Sequence, residues 1–407
     1  MNKTIYLDSA ASTQIDSRVE GDIIRSYIEE DWYNPSSIYE KGREVKRKLE
    51  NARQQVKDLI NANKNDNVVF CSCGSEANNL AIKGFMENNE DALLITDMVS
   101  HPSIYNVADV YYYNNNNTNC IYCKVDEYGR LDLNDLEYIL QNVNVKNILV
   151  ATTWVNNETG VINDIEHICN IVHKYRGYVL ADCCQGAYHL PINVKLWDVD
   201  MITFTSEKMG MSRGCSVLYI KDTCRIISLI QGGHQENGYR AGTENTMMII
   251  PFGNQCERIK NELENNTNKE YKLLYLMESA IKKACENICE YKINGRNYDI
   301  SNNDYVRIAP NILSVQFYHI NEHDGKYSGY DNQELLTLLD QYGVMCSAGS
   351  ACSAGEKTPS RVLKRIGLTD KEALSTIRFS FDHTLAEEDI KKFGKILRKC
   401  LIALKQN

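Results

Sequence analysis

Apolar residues recur along this chain in two alternating rhythms. Val45, Leu49, Ala52, Val56 and Leu59 stand three or four positions apart, the spacing that lines one face of a helix. Short, nearly unbroken apolar runs follow at Asn67–Phe70, Ala92–Thr96, Cys120–Lys124, Lys146–Thr152, Tyr178–Ala181, Met201–Phe204 and Ser216–Ile220, with helical stretches between them. Runs such as Ile148-Leu149-Val150-Ala151 leave no outward polar position, as expected of strands covered on both faces. This alternation predicts an α/β fold built on one mostly parallel, seven-stranded sheet between helical layers.

Past about residue 250 the rhythm changes. Glu257–Glu290 reads as a long, charged helical stretch with Leu273, Leu274, Met277, Ile281 and Ile288 as its apolar positions. Asn311–Phe317 alternates like a half-buried strand, Asn332–Tyr342 reads as a helix, and Ile377–Phe381 as another strand. The final helix carries Ile390, Phe393, Leu397, Cys400, Leu401 and Leu404 on one face, and Thr384 with Glu387 has the spacing of a capping box. The expected organisation is a large α/β domain over residues 16–255 and a smaller α+β domain made of residues 1–15 and 256–407. The run Tyr111–Asn117 is low in complexity and expected at a surface turn.

Composition narrows the function classes. The net charge of −9 gives no broad basic surface for nucleic acid or an anionic membrane. No apolar run is long enough to span a bilayer, and the first residues lack the apolar core of a secretory leader, so the expected location is cytoplasmic. Fifteen cysteines at irregular spacing, an odd number, do not read as a disulfide framework and suit a reducing compartment. Cys120 and Cys123 form a C-x-x-C, but inside a predicted strand and with no matching second pair, so no metal site is expected.

Three predicted strand ends carry suggestive polar groups. Asn156-Asn157-Glu158 follows one, Asp182 with Gln185 follows the next, and Thr205-Ser206-Glu207-Lys208 follows Met201–Phe204. Ligands in open α/β sheets sit beyond the carboxyl ends of strands. A partly desolvated lysine there becomes a free amine able to condense with an aldehyde, and a buried carboxylate would pair with a pyridinium nitrogen. Gly74 and Ser75 open a helix after a strand, a place where free N–H groups receive phosphate. His101 offers a ring for stacking. Together these supply the contacts that pyridoxal phosphate needs. Singly, each has a structural alternative: Lys208 a solvated loop residue, Ser75 a helix cap, Asp182 a cap, His101 a surface loop residue and Asn157 a turn former. The small-residue stretch Cys346–Gly355 is expected to form a mobile loop that exposes Cys352, or a connector with an incidental thiol.

The segments IYLDSAAST, YNPSS, FCSCGSEANNLAIKG, WVNNETGVI, ADCCQGA, TSEKMG, YRAGTEN, PNILSVQF, CSAGSACSAGEKTPSRVL and STIRFS, taken together, resemble the cysteine desulfurases, class V members of the pyridoxal-phosphate fold-type I enzymes. The resemblance implies conversion of L-cysteine to L-alanine, with the sulfur passed to an enzyme cysteine as a persulfide. It implies that Lys208 holds the cofactor aldehyde and carries protons, that Asp182 meets the pyridinium, that Gln185 meets the ring oxygen and that His101 stacks on the ring and moves protons. Asn157 would position cofactor and substrate, and Gly74, Ser75, Thr205 and Ser206 fall on phosphate-binding positions. Thr243 resembles a phosphate contact donated by the other subunit, which implies a homodimer. Arg378 and Asn34 match positions that bind the substrate carboxylate. Cys352 resembles the sulfur-accepting nucleophile of the long-loop group, whose loop delivers sulfur to partners such as an iron–sulfur scaffold protein.

The chain also departs from that family. Glu207 stands where a phosphate-contacting histidine is usual, Cys73 replaces a glycine, Gly74-Ser75 replaces Ala-Thr, and Met211-Ser212 replaces Gly-Pro. Residues Asn321–Asp331 resemble an insertion, and Asn407 comes soon after the last helix, where housekeeping members have a longer scaffold-binding tail. Two other readings stand beside the desulfurase: a non-catalytic dimeric homologue with a binding or regulatory role, which Glu207 favours, and a selenocysteine lyase. Retention of Lys208, Asp182, Gln185, His101, Arg378 and Cys352 favours the enzyme.

Overall fold

The computed structural model describes residues 4–113, 119–265, 269–296, 307–320, 326–349 and 358–405. All seven expected runs form strands of one sheet, with bounds within one residue of those read from the pattern. The strand order is Asn67–Cys71, Ser216–Ile220, Met201–Thr205, Tyr178–Asp182, Asn147–Thr153, Ala92–Asp97 and Cys120–Cys123. Ser216–Ile220 pairs antiparallel with both its neighbours, and the other pairings of this sheet among the described residues are parallel. Side chains alternate between two cores, as the twofold period of a strand demands. Val150, Val179 and Ala181 face one core with Val56 and Ile168, while Leu149, Ala151 and Leu180 face the other with Leu80 and Ile104. Both faces are covered, which is why these strands read as unbroken apolar runs.

A second, smaller sheet is organised on Ile312–Ile320, which pairs antiparallel with Glu290–Ile293, Tyr327–Gly329 and Thr376–Ser380. Its core gathers Leu274, Met277, Ile281, Phe317, Phe379, Phe393 and Leu397, with Ile5 and Leu7 from the amino-terminal segment. Ile5–Tyr6 pairs in parallel with Val344–Met345, so the start of the chain is stitched into the carboxyl-terminal α+β domain.

Four expectations change. The stretch Glu257–Glu290 is divided into the helices Thr246–Asn265 and Lys269–Cys285, and Glu290 already opens a strand. Its apolar residues serve two different cores, Ile259 the large one and Leu273 to Ile281 the small one, so one straight helix would not reach both. Ile312–Phe317 is buried on both faces rather than half-buried, because its polar members Ser314 and Gln316 are enclosed and hydrogen-bonded to Asn294 and Tyr327. Thr384 does not form the expected capping box; its hydroxyl and N–H both go to Asp382. Tyr111 lies in the helix Pro102–Tyr113 rather than in a turn. Residues 114–117 of that run, and part of the insertion at Asn321–Asp331, lie outside the described residues.

Candidate functional site

A cavity of about 270 Å³ opens at the carboxyl ends of the central strands. Register explains why its polar residues meet. Thr153, Asp182 and Thr203 stand in one row across three adjacent strands. Lys208 follows in the short helical turn Ser206–Lys208, directly after Met201–Thr205. The helix Gly74–Asn88 starts beside them, and Pro102 opens the helix that His101 precedes, a position suited to proline's missing N–H. The backbone N–H groups of Ile104 and Tyr105 donate to the His101 carbonyl, which fixes that residue at the helix entrance.

Asp182 is 3% exposed. One carboxylate oxygen accepts from the Asn78 amide at 2.9 Å and the other from the Cys184 N–H at 3.0 Å. Among the described residues it forms no ion pair. Asn78, itself buried, accepts from the Thr203 hydroxyl at 2.6 Å and donates to Ser103 at 2.8 Å, so its side chain is locked in one orientation. Ser103 in turn holds the His101 ring, its N–H donating to Nδ1 at 3.2 Å, which leaves Nε2 to carry the proton of the neutral imidazole. Burial lowers the His101 pKa; Asp182 opposes that shift, and Lys208 and Arg361 reinforce it.

Burial also lowers the Lys208 pKa, against Glu207 and with help from Arg378. The Lys208 amine donates to the carbonyls of Ala10, at 2.6 Å, and of Ala11. Gln185 donates to the same Ala10 carbonyl at 2.9 Å. Arg378 is 2% exposed. It donates from Nη1 to the Asn157 carbonyl at 2.9 Å and from Nη2 to Asp8 at 2.8 Å and to Ser347 at 2.9 Å. Its Nε is buried and has no partner among the described residues.

The structure thus brings Gly74, Ser75, His101, Asn157, Asp182, Gln185, Thr205, Lys208 and Arg378 to one cavity. It does not bring three others there. The Ser206 hydroxyl points the other way and donates to the Ser212 carbonyl at 2.6 Å, because neighbours at the end of an extended strand face opposite sides. Asn34 lies on an exposed turn with its side-chain oxygen on the Ser36 N–H. Thr243 is exposed at the surface. Cys352 lies outside the described residues. Sequence reasoning missed Asn78, Ser103, Asp8 and Cys184; Asp8 signals itself only through Arg378, far along the chain, while Cys184 acts through its N–H on Asp182, two residues before it.

The residues present fit pyridoxal phosphate. An enclosed carboxylate without a cation calls for a protonated ring nitrogen. The start of Gly74–Asn88 presents free N–H groups, and the backbone can approach closely because Gly74 has no Cβ; one added there would lie 3.2 Å from Cys184 Sγ and 3.7 Å from Thr205 Cβ. The discordant member is Glu207, which lines the cavity with its carboxylate 3.4 Å from the Thr205 hydroxyl.

Comparison with known proteins agrees with this reading. A model of the aminotransferase class V family matches residues 5–393. A cysteine desulfurase of Nostoc sp. is 32% identical over 97% of this chain and 92% of its own length. A cysteine desulfurase IscS of Clostridium botulinum is 32% identical over 98% of this chain and 95% of its own. The crystal structure of a NifS-like protein from Rickettsia africae superposes with a TM-score of 0.83 at 29% identity, covering 98% of this chain and 99% of that one.

The histidine environment yields a pH prediction. In the cofactor-free protein the His101 ring is expected to titrate below the ordinary value of about 6.5. Asp182→Asn removes an attractive anion and is expected to lower that midpoint further, whereas Lys208→Met removes a repelling cation and is expected to raise it. Histidine Cε1 proton shifts followed by NMR against pH check the order; equal midpoints in all three proteins would contradict the site geometry.

Proposed function

Because the chain belongs to the aminotransferase class V family and, within it, to the cysteine desulfurases, we propose that this strand-end cavity converts L-cysteine to L-alanine and hands the sulfur to Cys352. The observation that carries the proposal is the meeting of Lys208, Asp182, His101 and Arg378 around one enclosed space. When bound, pyridoxal phosphate supplies an aldehyde for amino groups and a ring that accepts electrons from the α-carbon. Lys208 would hold the aldehyde, Asp182 the ring nitrogen, His101 the ring face, Gln185 the ring oxygen, and Gly74, Ser75 and Thr205 the phosphate.

The residues then divide the work. Lys208, its pKa lowered by burial, supplies more neutral amine at pH 7 than a solvated lysine and moves the proton at the substrate α-carbon. Arg378 receives the substrate carboxylate on the edge that includes its Nε, which has no partner among the described residues. The Cys352 thiolate attacks the substrate sulfur. The carbon–sulfur bond breaks, the sulfane sulfur stays on Cys352 as a persulfide, and the carbon skeleton takes up a proton and leaves as alanine. No external oxidant or reductant is consumed. The neighbouring Cys346 is a poor substitute, since burial and the Asp8 carboxylate hold its thiol well above the usual range. The persulfide is then available to a thiol-bearing acceptor protein, an iron–sulfur scaffold being the class that the family suggests.

We further propose a homodimer. Residues 24–39 expose Ile24, Tyr27, Ile28, Trp32, Ile38 and Tyr39, with Ile28 71% and Ile38 89% accessible, more apolar surface than a monomer usually leaves in one stretch. The Thr246 hydroxyl bonds the Asp31 carbonyl at 2.6 Å, so the segment carrying Thr243 lies beside this patch and would reach a second copy's phosphate site.

Three results are expected. Cys352→Ser retains the yellow cofactor absorbance and loses cysteine-dependent sulfide release; sustained release would remove Cys352 from the mechanism. Ile28→Asp with Ile38→Asp yields a monomer by sedimentation and weakens cofactor binding; an unchanged dimer would relocate the interface. Glu207→Gln tightens pyridoxal phosphate at least tenfold in an absorbance titration, since a charge pair at ~4 Å in an effective dielectric of about 20 amounts to about 4 kcal/mol before solvent screening. An unchanged Kd would mean that the carboxylate turns away from the phosphate.

A further inference from the structure

We infer that Arg240 is a positioning residue for the phosphate end of the cavity: it holds Glu76 so that this carboxylate braces the turn before Gly74 and is neutralised beside the place a phosphate would take. Neither residue lines the cavity, and the reaction outlined above uses neither. The turn runs from the strand Asn67–Cys71 into the helix Gly74–Asn88, and Cys73, at the helix entrance, supplies no side-chain cap. Glu76, in the first turn of the helix, reaches back instead. Its Oε2 accepts from the Ser72 N–H at 2.8 Å and from the Ser72 hydroxyl. Its Oε1 accepts from Arg240 Nε at 2.8 Å. Both carboxylate oxygens are thereby occupied, and the first N–H groups of the helix stay available to a ligand. A lone carboxylate there would suit the helix dipole but repel a phosphate dianion at the same end. Arg240 removes that conflict. Burial pushes the Glu76 carboxyl up, but Arg240 and Ser72 outweigh it and hold the group below the usual carboxylate range.

Arg240 is itself held in place by a second ion pair four residues earlier. Glu236, 5% exposed, accepts from Arg53 Nη1 at 2.7 Å, from Arg53 Nη2 at 3.1 Å and from the Phe70 N–H at 2.8 Å. Arg53 Nη1 also donates to the Val68 carbonyl at 2.5 Å. The strand Asn67–Cys71 stands last in the sheet on that side, so Arg53 and Glu236 occupy outward groups that a further strand would otherwise take. The chain around Glu236 is sharply bent: His234, Glu236 and Asn237 have φ of +59°, +49° and +55°. Side chains disfavour that region, and residues persist in it where surrounding contacts fix them. Glu236 thus grips the strand before the phosphate turn, and Arg240 grips the helix after it.

The inference rests on the pyridoxal phosphate reading, and one set of titrations keeps the two apart. The parent, Arg240→Met, Glu76→Gln and the double variant are stripped of cofactor and titrated by absorbance with pyridoxal phosphate and with pyridoxal, which lacks the phosphate. Arg240→Met is expected to weaken pyridoxal phosphate about tenfold, the size of losing one hydrogen bond to a charged group, and to leave pyridoxal within about twofold. Glu76→Gln, whose side-chain oxygen still accepts from Ser72, is expected to bind pyridoxal phosphate at least as tightly as the parent. The double variant is expected to recover most of the loss, because no unpaired carboxylate is left at the helix start.

A parent that prefers pyridoxal phosphate, with Arg240→Met unchanged or weakened equally toward both ligands, would overturn the inference and leave the phosphate seat standing. A double variant as weak as Arg240→Met would also overturn it, since Arg240 would then act through something other than Glu76. So would weaker pyridoxal phosphate binding by Glu76→Gln, even if Arg240→Met fails to fold. A parent that binds pyridoxal as tightly as pyridoxal phosphate would refute the phosphate seat and the inference with it.

Discussion

Asp182 is enclosed by protein on every side but one, and the hydrogen bonds that hold it come from neutral groups. Keeping a carboxylate in such a place is costly unless a positive charge eventually faces it. Much of the surrounding architecture maintains that arrangement. Asn78, Thr203 and Ser103 form a chain of hydrogen bonds that aims the carboxylate and, through Ser103, fixes the His101 ring. The parallel register of the strands then brings Lys208 to the same cavity. Acid, ring and amine are three consequences of one sheet geometry.

The second constraint is the return of the amino terminus. Ile5 and Leu7 are buried in the small core, while Ala10 and Ala11 lie against Lys208 in the large one. Between them Asp8 pairs with Arg378, and Ser9 and Ala10 bond Ser380, so a few residues couple the two cores at the cavity. Arg378 comes from the small sheet yet faces a cavity built by the large one. A substrate held by Arg378 and a cofactor held by the large sheet would thus meet across the junction of two cores, as is common for small-molecule sites.

Periodicity made the large sheet legible, because strands buried on both faces have no polar positions to blur the pattern. Chemistry at strand ends made Lys208 and Asp182 legible for the same reason: a polar residue directly after an apolar run is conspicuous. What remained hidden depends on contacts between distant parts of the chain. Asn78 looks like any polar residue in a helix until its buried face is known. Asp8 meets a partner 370 positions away, and Glu158 meets Ser360 across 202. A run of two hydroxyls, Thr205 and Ser206, hides which one faces the cavity. The charged stretch after residue 250 looks continuous in sequence because its apolar spacing persists while the core it serves changes.

The central claim is that Lys208 is the amine that receives the cofactor aldehyde. The direct test is to saturate the purified protein with pyridoxal phosphate, reduce it with borohydride, and map the modified peptide by mass spectrometry. The account requires one pyridoxyl group per chain, on Lys208. A protein left unmodified, or one labelled chiefly on another lysine, would contradict it.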